Sequence, residues 1–120
     1  MSIEQPKLID FIGVDKASGS VVLTISDHLD WKDSQHHQLI LQEKLNSYLA
    51  FIESGEILES YPDSKGRRPV IGVVGQYAPD VSGREFLARV ESTLEHAGIG
   101  FRFQLFVDGA GGPGLSLEYR

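Results

Sequence analysis

Ser34 to Ser54 reads SQHHQLILQEKLNSYLAFIES and is followed by Gly55. Leu41, Leu45, Tyr48, Leu49 and Ile52 recur at steps of three and four, so a helix gathers them onto one stripe that must face a core. Asp33 or Ser34 supplies a cap at its start. Gly55 suits the left-handed position that stops a helix, and Ile57 is placed to fold back onto the last turn. A helix with a single apolar stripe needs another layer to cover it, and the flanking sequence supplies strands for that layer.

Upstream, Leu8 to Val14 (LIDFIGV) and Val21 to Ser26 (VVLTIS) are rich in branched and aromatic residues and are separated by Asp15-Lys16-Ala17-Ser18-Gly19, a polar reversing loop. They read as a hairpin whose second strand has Val21, Leu23 and Ile25 on one face and Val22, Thr24 and Ser26 on the other. Downstream, EILESYP reads as a short helical turn ended before Pro62. Asp63 to Arg68 is a solvent loop, and Val70 to Val74 is a short apolar run suited to a central strand, with Gly72 and Gly75 marking close backbone approach. Ser82 and Glu85 stand at capping-box spacing with Val81 and Phe86 as a hydrophobic staple. They open a helix whose stripe is Phe86, Leu87, Val90, Leu94 and Ala97 and which Gly98 ends. Phe101 to Val107 (FRFQLFV) alternates as a strand.

The order is therefore β-β-α-β-α-β. Two right-handed crossovers between strands that keep advancing across the sheet place both helices on one face. The sequence predicts an α+β two-layer sandwich, a mixed sheet of four to five strands with two helices on one side. Residues 1 to 108 form the single domain. Residues 109 to 120 form a glycine-rich C-terminal extension, either a loose tail or an edge strand carrying Leu115, Leu117 and Tyr119. The sheet face away from the helices is expected to be partly bare, with Phe106 on it, which predicts self-association.

Composition narrows the function. With 41% hydrophobic and 23% charged residues the 120-residue chain has a globular composition, not that of a disordered one. The absence of cysteine excludes disulfides, thiolate metal sites and a cysteine nucleophile. MSIEQPK opens the chain without the apolar core of a secretory signal, and no run reaches the roughly eighteen apolar residues of a membrane helix, so a cytoplasmic protein is expected. Residues 1 to 60 hold four lysines against ten acids, while the second half is balanced; the whole net charge of -6 lies in the first half. Such a field repels phosphate backbones and makes nucleic acid an unfavourable partner, the Lys65, Arg67, Arg68 cluster notwithstanding.

The densest polar cluster runs from Asp27 to His37. Asp27, His28, Asp30, Trp31, Asp33, His36 and His37 fall where a strand ends and a helix begins, a frequent place for sites in α/β folds. Imidazole and carboxylate side chains suit Zn, Fe or Mn, yet the metalloprotease helix pattern is missing, and adjacent His36 and His37 diverge by about 100° on a helix. The same residues also serve as helix caps and solvated first-turn groups, and Trp31 as either a partner-binding anchor or a core plug. GAGGPG lacks the strand-loop-helix context and the Gly-Lys-Ser/Thr of a phosphate loop, and no serine lies in a nucleophile elbow.

At ISDHLDW, SYLAFIESGEI and the following YPDSKGR the chain resembles a family of short, uncharacterised bacterial proteins, a domain of unknown function. The resemblance spans Ile9 to Phe103. It implies a bacterial cytoplasmic setting and no catalytic residue. The residues themselves point to a small non-enzymatic interaction protein with no cofactor and no metal, inhibitor-like or immunity-like. It binds another protein, or a second copy of itself, through Asp27, His28, Asp30, Trp31, Asp33, His36 and His37. The competing expectation is a metal-binding or small-molecule-binding protein built on the same cluster.

Overall fold

The computed structural model describes residues 9–106 and the backbone of Ser116–Tyr119. The glycine-rich loop, the side chains of Leu115, Leu117 and Tyr119, and the reading of the first seven residues lie outside the described residues. Five strands, β1 (Phe11–Val14), β2 (Val21–Asp27), β3 (Pro69–Gly75), β4 (Gly100–Phe106) and β5 (Ser116–Tyr119), stand in sequence order across one sheet. The central three, β2, β3 and β4, are parallel, and β1 and β5 pair antiparallel to its two sides. Helix α1 (Ser34–Glu53) carries the crossover from β2 to β3, and α3 (Val81–His96) that from β3 to β4. Both crossovers advance the same way, so right-handed connections put both helices on one face. The architecture is the two-layer α+β sandwich that the element order dictates. The short helix α2 (Glu56–Ser60) and a 3-10 turn at Pro62–Ser64 fill the return from α1 to β3.

The core lies between the layers. Val21, Leu23 and Ile25 of β2, Ile71 and Val73 of β3 and Phe101 and Phe103 of β4 are buried against Leu41, Leu45 and Tyr48 of α1 and Phe86, Leu87 and Leu94 of α3. Gly75 is required by this packing: a Cβ there would lie 2.6 Å from the Phe103 ring. The opposite face is only partly covered. Phe11, in register with Thr24, is 57% exposed on that side, and the Arg102 side chain lies over Gly72.

Asp33 caps α1 by accepting from the His36 amide, and Gly55 follows in the left-handed region at φ 84°. The expected capping box of α3 is not formed. Asp80 is the cap, its carboxylate 2.7 Å from the Gly83 amide, so Ser82 falls inside the first turn and Val81 is exposed. A carboxylate two residues earlier starts the helix sooner, satisfies the Gly83 amide and adds favourable charge at the dipole's positive end. Ala97, assigned to the buried stripe from sequence, is the exposed C-cap residue ahead of Gly98, which is left-handed at φ 79°.

Candidate functional site

At the carboxyl ends of the parallel strands, β2 delivers Asp27 and β3 runs into Gln76 and Tyr77, while α1 and α3 begin from the same edge. In open α/β sheets this is the edge where ligand sites form. Six residues after β2 the chain must turn into α1, and that turn is built on a buried polar joint. The Asp27 carboxylate accepts from the Leu29 amide at 3.1 Å and meets His37 Nε2 at 2.6 Å. His37 Nδ1 faces the Asp30 carbonyl at 2.9 Å. A carbonyl only accepts, so Nδ1 donates to it, and Nε2 faces the carboxylate. Both ring nitrogens are thereby engaged inside the joint.

Trp31 closes the joint from the other side. Its ring stacks on His37 at 3.7 Å between centroids, and its Nε1 donates to the Tyr77 carbonyl at 3.1 Å. A Cβ on Gly83 would lie 2.8 Å from the same indole, so α3 approaches it through bare backbone. Ser34 Oγ donates to Asp80 at 2.9 Å, and the Gln38 amide donates to Ser34 Oγ and Ser82 Oγ at 3.0 and 2.9 Å. The starts of α1 and α3 are therefore stitched to each other and to the β2 end.

Of the seven residues singled out in the sequence, the structure brings Asp27, Trp31 and His37 together in the interior and leaves His28, Asp30, Asp33 and His36 exposed. His37 is 1% exposed, and this corrects the expectation of a solvated first-turn residue. Trp31 is the core plug of the two alternatives, and Asp27 is equally enclosed, so neither offers a contact surface in this conformation. The exposed four line a shallow cleft of about 230 Å³ with Leu29, His37 and Tyr77. That volume lies below the range typical of small-molecule sites. Among the described residues no three His, Asp or Glu side chains converge as a metal-binding group.

A second buried polar joint escaped the sequence reading. The Lys44 ammonium lies 2.8 Å from Asp10 Oδ1, both fully enclosed, and the other carboxylate oxygen accepts from the Ser26 amide at 3.0 Å. Tyr48 Oη accepts from the Asp10 amide at 2.9 Å and donates to the Thr24 carbonyl at 2.8 Å. Burial pushes the Tyr48 hydroxyl well above its ordinary pKa, with the Asp10 charge adding to the shift. The signal was present: Lys44 sits on the apolar stripe between Leu41 and Tyr48, where only a lysine with a buried partner is tolerated. Tyr77, Asp80 and Gln38 were also missed, because they join the site only through the meeting of two crossovers.

These features define a small α+β sandwich whose edge at the carboxyl ends of the parallel strands is braced by an internal Asp-His-Trp joint. The chain belongs to the family of unknown function DUF6572, whose model matches residues 1–107. No curated protein and no solved structure matches it significantly. Among the described residues no helix is long and apolar enough to cross a membrane.

Proposed function

We propose that this chain is a non-enzymatic protein-interaction module, inhibitor-like or immunity-like, that engages its partner through the exposed rim of His28, Asp30, Asp33, His36 and Tyr77. The observation that carries this reading is the construction of the rim. Its loop is held from beneath by Asp27, His37 and Trp31, so the exposed side chains start from a fixed backbone and little ordering entropy opposes binding. Tyr77, half exposed beside Asp30 and Asp33, supplies the aromatic contact that interface centres favour. The acidic excess of the first sixty residues suits a basic partner surface and a salt-dependent on-rate.

The test compares the tagged chain with an Asp30→Asn, Asp33→Asn, Tyr77→Ala variant in affinity purification from the organism that encodes it. A partner retained reproducibly by the first and lost by the second supports the reading. Recovery of no reproducible partner, or equal recovery by both, overturns it. The metal reading of the same cluster is separated by thermal shift with Zn²⁺, Mn²⁺, Fe²⁺ and Ni²⁺, since a ligand that prefers the native state must raise the midpoint. A second copy is the other candidate partner, favoured by three parallel strands open on one side with Phe11 exposed there. A monomer mass in sedimentation at micromolar concentration removes it.

A further inference from the structure

On the outer surface of the helical layer, running down from the stitched helix starts, α1 and α3 part to leave a cleft of about 620 Å³. Its floor is apolar, made by Leu45 and Leu49 of α1 and Phe86, Val90 and Leu94 of α3. One wall is different in kind. Gln35, Gln42 and Asn46 share one side of α1 at helical spacing, all exposed, and none of their side-chain amides has a hydrogen-bond partner among the described residues. Gln38, on the same wall, closes one end of the cleft by reaching Ser34 and Ser82. The facing wall contributes Arg89, the single charged residue of the lining, which has no ion-pair partner among the described residues although the protein as a whole is acidic.

The chemistry of the lining selects its occupant. A helix satisfies its own backbone groups and needs only the floor, so a row of amides is superfluous to it. A small apolar molecule likewise makes no use of them. An extended segment exposes N–H and C=O groups that need partners, and a carboxamide both donates and accepts, so it can serve either. The lone guanidinium adds charge complementarity for a carboxylate, which it binds through parallel bonds. We propose that the cleft between α1 and α3 binds a segment of a partner protein in extended conformation. Its apolar side chains rest on Leu45, Phe86 and Val90, its backbone bonds to Gln35, Gln42 and Asn46, and an Asp or Glu side chain meets Arg89. This surface is separate from the acidic rim, and the two stand or fall independently.

Short random peptides displayed on phage are selected on the full chain, and enriched sequences are then measured by fluorescence anisotropy. The expected binders carry an acidic residue beside alternating apolar ones. Arg89→Gln weakens them about tenfold, the loss of a charge-assisted bond. Gln42→Ala with Asn46→Ala weakens them several-fold, while Asp30→Asn leaves them unchanged. All of these positions are exposed and alanine favours helix, so the melting temperature stays where it was and any loss is a loss of binding. The proposal is overturned by binders indifferent to Arg89 and the amides, by binders that gain helical circular dichroism on the protein, or by failure to select any sequence over background.

Discussion

His36 and His37 are neighbours in sequence with opposite surroundings: one is exposed on the first turn of α1, the other is enclosed between a carboxylate, a carbonyl and an indole. The roughly 100° between successive helical side chains makes such a split readable from sequence. The stripe of Leu41 and Leu45 carried back by four residues also places His37 inward, whereas what it meets there is not readable, because that depends on where Trp31 and Asp27 stand after the turn. Breaking the joint exposes its energetics. His37→Leu leaves the Asp27 carboxylate buried opposite an apolar group and is expected to cost about 3 kcal/mol, as for other buried pairs robbed of one member. Asp27→Asn keeps a polar atom facing the ring and costs about 1 kcal/mol. Urea denaturation of the two variants measures the difference, and equal losses would show that His37 packs there only as a hydrophobic shape.

At the scale of the element, α1 is positioned by a polar contact set into its apolar stripe. Leu41, Leu45 and Tyr48 specify which face turns inward, but an apolar stripe alone permits a slide along the sheet, whereas Lys44 on Asp10, just ahead of β1, and Tyr48 on Thr24 of β2 fix the helix to the sheet at two points. Removing one charge is costly and removing both is cheap. Lys44→Met alone is expected to lose about 3 kcal/mol, and adding Asp10→Leu should restore much of it, since the pair's attraction mostly offsets its own desolvation. A double-mutant cycle in urea reads the coupling. Tyr48 gives the same contact a signature in pH. Its hydroxyl stays protonated in the folded chain above the ordinary value of 10.0, whereas the unfolded chain ionises there, so the folded state holds one proton more. Stability from this group is complete below pH 10 and falls as pH rises beyond it, towards the raised folded value. Tyr48→Phe is expected to lose about 1 kcal/mol at neutral pH and to remove that alkaline slope. Melting temperatures taken from pH 8 to 11 decide between the two shapes of curve.

Across the molecule, the order and type of elements were legible because each rests on a local pattern: a stripe of period 3.6 in Leu41 to Ile52, alternation in Phe101 to Phe106, glycines past both long helices. The joints were legible only in part: Asp27, Trp31 and His37 share one short stretch, but how they meet, and what closes on them, depends on residues far away in sequence. Asp10, Thr24 and Lys44 meet in one, which no window of sequence contains, and in the other Asp27, Trp31 and His37 are closed over by the distant Gly83. The cap of α3 failed for a related reason, since Asp80 also serves Ser34 of the other helix and so is held where Ser82 is not. The crossovers through α1 and α3 share β3, but their helix starts touch chiefly through Trp31 and the Ser34, Gln38, Asp80, Ser82 bonds. Trp31→Phe keeps an aromatic ring but loses the bond to Tyr77 and the outer half of the indole that lies against Gly83. In hydrogen exchange, the paired amides of β2, β3 and β4 are expected to remain the slowest in this variant, because global unfolding limits them. Exchange should rise together in residues 28–33 and in the first turns of both helices, since one ring braces all three. A rise confined to residues 28–33 would mean that the helix starts are held independently and that the indole is only a lid over its own loop.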